Sequence, residues 1–302
     1  VIGNRQSPVP DILARVDETN PAAPTSLAPH PVLADYYGDA AARPQYVQHL
    51  FDCTAPSYDR IERLIGFGSG PWYRRQALGR AGLAEGMSVL DVAVGTGLVA
   101  REAITIVKRP SLVKGLDPSP GMLREARRQL GLPAVLGFGE CIPLRDASVD
   151  FVSMGYALRH LEDLTVTFRE FARVLRPGGR VCLLELTRPA NRVGCGMLRV
   201  YLKWVVPFFT GVFTRNRDAR LLMRYFWETI QACVPPERIQ QALCDAGFVR
   251  VRRTLVLGVF SEYVGRAPGP DVPPVTEADR RRGGTFAERV FPLFESVTRP
   301  GV

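Results

Sequence analysis

Between residues 88 and 186, short apolar runs alternate with segments of helical spacing, and this alternation restricts the chain to few architectures. Strands are expected over 88–93, 112–117, 135–138, 149–155 and 180–186. Helical spacing fills the gaps over 98–107, 121–130 and 164–175, the last with Phe168, Phe171 and Leu175 on one face. Strands that alternate with helices of roughly 10–15 residues call for an α/β fold, a doubly wound and largely parallel sheet with helices on both faces. A further helix is expected over 235–246, closed by Gly247, followed by paired strands over 249–259.

Proline marks the limits of this unit. Of 25 prolines, 7 fall in residues 1–44 and 6 in 267–302. The run from Pro21 to Pro31 cannot build a helix or a central strand, so residues 1–44 read as an extended or mobile arm. Residues 45–266 form the folded domain and 267–302 an extension, in which 285–294 has amphipathic spacing. Lys and Arg number 39 against 30 Asp and Glu, a net charge of +9. Such a charge invites a nucleic acid, yet the arginines are scattered and no stacking or base-reading module is present, so no nucleic-acid partner is expected. The six cysteines contain no Cys-x-x-Cys pair, so no metal is expected and a reduced, cytoplasmic protein is the simplest reading. The N-terminus lacks a basic–apolar–small pattern, and no apolar run reaches the ~18 residues of a spanning helix.

The chemistry begins where the first strand meets the first helix. Leu90-Asp91-Val92-Ala93-Val94-Gly95-Thr96-Gly97 occupies that junction. Glycines there let a ligand approach the backbone, and the helix start adds unpaired N–H groups. Asp117 ends the second strand, 20 residues after Gly97, where an acid typically accepts hydrogen bonds from a ribose diol. A third glycine is missing, since Ala100 stands there. A ribose acid with a shortened phosphate loop suggests a nucleoside ligand without pyrophosphate, and S-adenosyl-L-methionine fits that description. A dehydrogenase-type or purely structural βαβ unit is the alternative on these features alone.

Further motifs follow in order: Phe51-Asp52 to Tyr58-Asp59, Asp117-Pro118 to Met122, Glu140-Cys141, Tyr156 to Arg159-His160, and Arg173 to Arg180. With these the chain resembles class I S-adenosylmethionine-dependent methyltransferases, most closely the UbiE-type C-methyltransferases of ubiquinone and menaquinone biosynthesis. The resemblance implies a seven-stranded Rossmann-like sheet with an inserted helical lid, here about 190–230. It implies cofactor contacts from Asp91, Ala93, Gly95, Thr96, Gly97, Asp117, Pro118, Met122, Glu140, Cys141 and Tyr156, and places Tyr58 and Arg159 toward the substrate. The chain departs from the family pattern at Ile61-Glu62-Arg63, Gly70, Trp72-Tyr73, Leu98, His160 and Tyr263, mostly on the acceptor side.

Methyl transfer to a ring carbon needs an electron-rich phenol or hydroquinone and a base. His160 is the expected base, since an imidazole can titrate near neutral pH; a His packed at a strand–helix junction is the alternative. Arg159 could hold a phenolate, or pair with Glu162 or Asp163. Tyr58 could hydrogen-bond the acceptor. The apolar and aromatic stretch 197–213, flanked by Arg199, Lys203, Arg215 and Arg217, reads as the lid over a hydrophobic acceptor and as a peripheral membrane contact. A core helix broken at Pro207 is the other reading. A small hydrophobic substrate is therefore expected as partner, and a homodimer is left open. Methylation of another small molecule, by O- or N-transfer or on a phospholipid head group, is the competing function, and cofactor binding without turnover is a third.

Overall fold

The computed structural model describes residues 26–66, 68–206 and 217–270. The expected helix over 285–294 and the larger parts of the two terminal segments lie outside the described residues.

Seven strands form one sheet in the order β3-β2-β1-β4-β5-β7-β6. They are β1 Val89–Val92, β2 Val113–Asp117, β3 Ala134–Leu136, β4 Val149–Gly155, β5 Leu175–Leu186, β6 Val249–Val256 and β7 Phe260–Arg266. The first five run parallel, and β7 lies antiparallel between β5 and β6. The helices are α1 Ala34–Tyr37, α2 Arg43–Ile65, α3 Gly70–Arg80, α4 Leu98–Val107, α5 Pro120–Leu130, α6 Leu164–Val174, α7 Arg192–Val200, α8 Arg217–Ala232 and α9 Pro236–Asp245. The chain reverses direction of travel between β3 and β4, beside β1, which opens a crevice at the carboxyl ends of β1, β2 and β4.

Both faces of the sheet are covered, so its strands read as near-continuous apolar runs. In β5, Val181 and Leu183 join Phe168, Phe171 and Leu243 on one face, while Cys182 and Leu184 join Leu78, Ala100 and Ala103 on the other. A third cluster, with Leu50, Ile61, Leu222 and Tyr225, forms where α1 and α2 meet α8, above the sheet's edge.

Two expectations change. Strand β5 starts at Leu175 rather than 180, and Pro177-Gly178-Gly179 turns within it as a bulge: Val149 pairs with Leu175 and Phe151 with Arg180, so residues 176–179 loop out from β4. In this bulge Gly178 takes a φ of +78° and donates to Ala267 O and Pro268 O at 3.2 and 3.1 Å. The first residues of the C-terminal extension thus supply the backbone partners that a free turn would have left to water. Nor is the arm free after residue 26. Leu164 N donates to Leu27 O at 2.9 Å and Val234 N to Pro29 O at 2.8 Å. His30 is buried, accepts from Arg43 Nη2 at 3.0 Å and donates from Nδ1 to Pro31 O at 2.7 Å. Prolines lack N–H donors, but their carbonyls and neighbours remain free to pair with the domain.

Candidate active site

A cavity holding about 850 Å³ of empty space, counting its open mouth, lies at the carboxyl ends of β1, β2 and β4. Its wall is largely apolar with a few polar groups among the lining residues, the make-up of a small-molecule site. The roof is α2, stitched across the strand ends by two carboxylates seven residues apart and so on one helix face. Asp52 Oδ1 accepts from Ser119 Oγ at 2.5 Å and Gly121 N at 2.7 Å, at the start of α5. Asp59 Oδ1 accepts from Thr96 Oγ1 at 2.5 Å, in the glycine loop. Pro56 removes the N–H that would bond Asp52 O within the helix. Phe51 and Tyr58, again seven apart, line the cavity beneath.

The floor is strained where it meets the cavity. Ala93 after β1 and Tyr156 after β4 both line the cavity with positive φ, +53° and +61°. Non-glycine residues rarely adopt this conformation, and such strain clusters at functional sites.

Asp117 lines the cavity at the end of β2. Its Oδ2 accepts from Gly95 N and its Oδ1 from Ser119 N, each at 2.8 Å. Each oxygen keeps a second lone pair for a ligand. Burial pushes its carboxyl up to about 6, against the pull of those two N–H groups. Gly95, Pro118, Met122, Glu140 and Ala93 also line the cavity. Glu140 Oε1 is engaged by Glu162 N at 2.9 Å.

Four residues expected to touch a cofactor are not in the cavity wall. Thr96 is buried and turned to Asp59. Gly97 serves helix packing: a Cβ there would lie 2.5 Å from Leu130 Cδ1. Cys141 faces solvent. Asp91 is buried, accepts from Ser153 Oγ at 2.6 Å, and is pushed up to about 7 by burial.

Arg159 is the largest correction. It does not line the cavity, and its guanidinium is wholly buried in another interaction. Nε donates to Glu185 Oε1 and Nη1 to Thr229 Oγ1, both at 2.9 Å. The partner is neither Glu162 nor Asp163. Arg159 joins β5 to α8, and its own carbonyl accepts from Arg43 of α2 at 2.8 Å.

His160 does line the cavity. It packs edge-on to Phe51, centroids 5.2 Å apart, and stacks on Tyr225 at 5.4 Å and Phe226 at 5.8 Å. Among the described residues neither ring nitrogen has a hydrogen-bond partner. Titration near neutrality does not follow: burial first, then Arg159, Arg43 and His30, hold its pKa well below 6.5. The imidazole is neutral at physiological pH, with one free donor and one free acceptor. Tyr58 is pushed up to about 12 by burial and stays a phenol.

Sequence reasoning assigned no role to Asp52, Asp59 or Arg74. The repeat Phe51-Asp52 … Tyr58-Asp59 at heptad spacing could have pointed to the first two. Arg74 of α3 is 2% exposed, paired with Glu62, and stands 5.7 Å over the Tyr156 ring. Among the described residues its Nε and Nη1 have no partner. Buried orphans are costly and few. Asp91, held by Ser153 and the Ala100 N–H, is a buried acid. These two are of opposite sense: the cation lies over the ring of Tyr156, which lines the cavity, and the acid is in β1, two residues before the cavity-lining Ala93. They suit the carboxylate and ammonium of an amino acid, while Asp117 suits a diol and Met122 with Phe138 an aromatic base. The residues present therefore fit S-adenosylmethionine.

Comparison with known proteins agrees with this geometry. The profile of the ubiE/COQ5 methyltransferase family matches residues 40–266. A protein named demethylmenaquinone methyltransferase from Deinococcus radiodurans is 34% identical over 233 residues, covering 76% of this chain and 95% of that one. One of the same name from Staphylococcus aureus is 30% identical over 234 residues, covering 75% and 95%. Among solved structures, a SAM-dependent methyltransferase from Aquifex aeolicus superposes with a TM-score of 0.51 at 20% identity, covering 69% of this chain and 97% of that one. The last likeness speaks for the fold alone.

Proposed function

The chain belongs to the ubiE/COQ5 methyltransferase family and is a S-adenosylmethionine-dependent methyltransferase; from that premise we propose that it methylates a ring carbon of a quinol-like, hydrophobic phenol. One observation carries this reading: a single cavity joins Asp117, the acid at the end of β2, to an aromatic wall of Phe51, Tyr58 and His160. The two relatives named for demethylmenaquinone support the same acceptor class.

When bound, S-adenosylmethionine supplies an electrophilic methyl on a sulfonium. Asp117 would hold the ribose hydroxyls, Gly95 and Ala93 would let the amino-acid portion approach, Met122 would cover the base, and Arg74, over the Tyr156 ring, would complement the carboxylate's charge. Phe51 and the rest of α2 exclude water and orient the ring, which can supply much of the acceleration. His160 is a weak base here, so its part is to accept the phenolic O–H at one ring nitrogen and take its proton as the methyl–sulfur bond breaks and the methyl–ring-carbon bond forms. The ring C–H proton then leaves to solvent, which restores aromaticity, and the imidazolium returns its proton to the ring oxygen. Tyr58 donates to the second ring oxygen. Arg159 acts through others, as a positioning residue. The protein works at a membrane surface on the cytoplasmic side, as a peripheral protein; among the described residues no helix is long and apolar enough to cross a bilayer.

The test uses S-adenosylmethionine with a labelled methyl group, incubated with the protein and separate lipid, polar-metabolite and RNA extracts. Label on the ring of a nonpolar aromatic lipid is expected. Label in a polar metabolite, head group or RNA overturns the acceptor. For His160→Ala, unchanged cofactor affinity and a kcat about 10²-fold lower are expected, the lower end for an acid–base group. Because His160 is neutral in the resting protein, the parent kcat should show no limb near pH 6.5 that the variant removes. Unchanged turnover would take His160 out of the mechanism.

A further inference from the structure

Helix α7 and the π-helical turn Tyr201–Val205 after it form one rod with two apolar faces. One face is packed. Leu202 is 1% and Val206 2% exposed, and Leu198 and Tyr201 press on Trp227 and Ile230 of α8. The other face is bare. Val193, Met197, Val200 and Trp204 are 73, 68, 53 and 72% exposed, and their steps of four, three and four residues align them in one stripe. A surface helix normally shows solvent a polar face, so a second apolar stripe calls for a partner.

Charge identifies that partner. Arg188, Arg192 and Arg199 are exposed along this segment, and Lys203 lies over the Trp227 ring. From Thr187 to Val206 the sequence holds no Asp or Glu. In helical projection the cations of α7 and the π turn fall on one flank of the stripe, which lets their long stems reach past it. An apolar stripe with an aromatic end and a purely cationic flank matches an anionic bilayer, whose head groups take the charges and whose acyl boundary takes the stripe. We infer that α7 lies in the plane of an anionic lipid surface, with Val193, Met197, Val200 and Trp204 inserted.

This deepens the acceptor reading and rests on it for its purpose. Tyr201 and Val206 pack in the same cluster as Val47, Phe51 and Tyr58, which line the cavity. The end of the rod thus shares a hydrophobic cluster with the cavity wall, which gives a membrane-resident acceptor a route along apolar surface.

The experiment uses the full chain and vesicles of phosphatidylcholine alone or with 30% phosphatidylglycerol as the chosen composition. Co-sedimentation is measured for the parent and for the quadruple variant V193S/M197S/V200S/W204S. Binding to the anionic vesicles is expected, weaker in 0.5 M salt as chosen, with a partition coefficient roughly 100-fold lower for the variant. Brominated lipid should quench the parent's tryptophan fluorescence, and W204F should lose that quenching. Failure of the parent to bind anionic vesicles overturns the inference, as does equal binding by the variant. A dimer that the variant dissolves, with no vesicle binding, overturns it in favour of a second copy of the chain. Turnover of a short-chain, water-soluble hydroquinone separates the two readings. The variant should match the parent there, whereas no turnover by a vesicle-binding parent sinks the acceptor and leaves the surface standing.

Discussion

Asp117→Ala is expected to abolish measurable cofactor binding. The carboxylate would accept both hydroxyls of a ribose, and hydrogen bonds to a charged group contribute about 1.5–3 kcal/mol each. Losing two raises Kd by roughly two to four powers of ten. The same change strands Gly95 N and Ser119 N, whose acceptor Asp117 is, and so loosens the glycine loop and the start of α5 together. Asp117→Asn keeps an acceptor and should fall between. Titration calorimetry with S-adenosylhomocysteine reads both. The pH dependence follows in sign. The carboxyl sits at about 6, above its ordinary 3.8, so the folded apoprotein holds this proton more tightly than the unfolded chain. Between those values the group's contribution to stability therefore falls as pH rises. Cofactor affinity runs the other way and drops as pH falls through about 6, because a protonated acid offers one acceptor fewer. Asp117→Asn should lose that acid limb. An affinity unchanged by Asp117→Ala would sink the assignment of the ribose site.

Arg159→Met is expected to cost stability first and turnover second. Arg159 is 0% and Glu185 2% exposed, and Glu185 Oε2 already lacks a partner. Removing the guanidinium leaves a buried, uncompensated carboxylate, a loss of about 3–5 kcal/mol. For a domain of this size that lowers Tm by on the order of 10 °C. Adding Glu185→Leu should restore most of it, since an apolar pair of similar volume can replace a buried ion pair. Arg159 also helps to hold the His160 pKa down, so the double variant should raise it, which NMR titration of the imidazole can follow. An unchanged Tm with lost turnover would return Arg159 to the substrate.

The part of the site that was legible is the part set by local order along the chain. The glycine loop follows its strand directly, Asp117 ends the next one, and Met122 comes one turn into the next helix, so strand–loop–helix order brings them to one crevice. Helices α4 and α5 and strand β4 fall where the apolar periodicity puts them, within one residue, because each buries a face that the pattern marks. Gly97 and Thr96 belong to the same motif yet serve packing and tethering. A motif names a segment, and only its surroundings divide the work within it.

What the sequence determined by itself was the doubly wound order of elements, the cofactor class and the identity of the cavity-lining acid, because backbone periodicity and turn chemistry act over a few residues. What the tertiary structure alone decided was the partner of each buried arginine. The parallel register sets Gly155 opposite Leu184, and so brings Glu185 to Arg159 across 26 positions of sequence, past the nearer acids Glu162 and Asp163. The same packing gathers Phe51, Tyr225 and Phe226 around His160 and removes water from it, which turns an expected neutral-pH base into an uncharged hydrogen-bonding ring. Charge pairing and desolvation depend on distance through space, and the sheet's register and the docking of α2 and α8 set that distance.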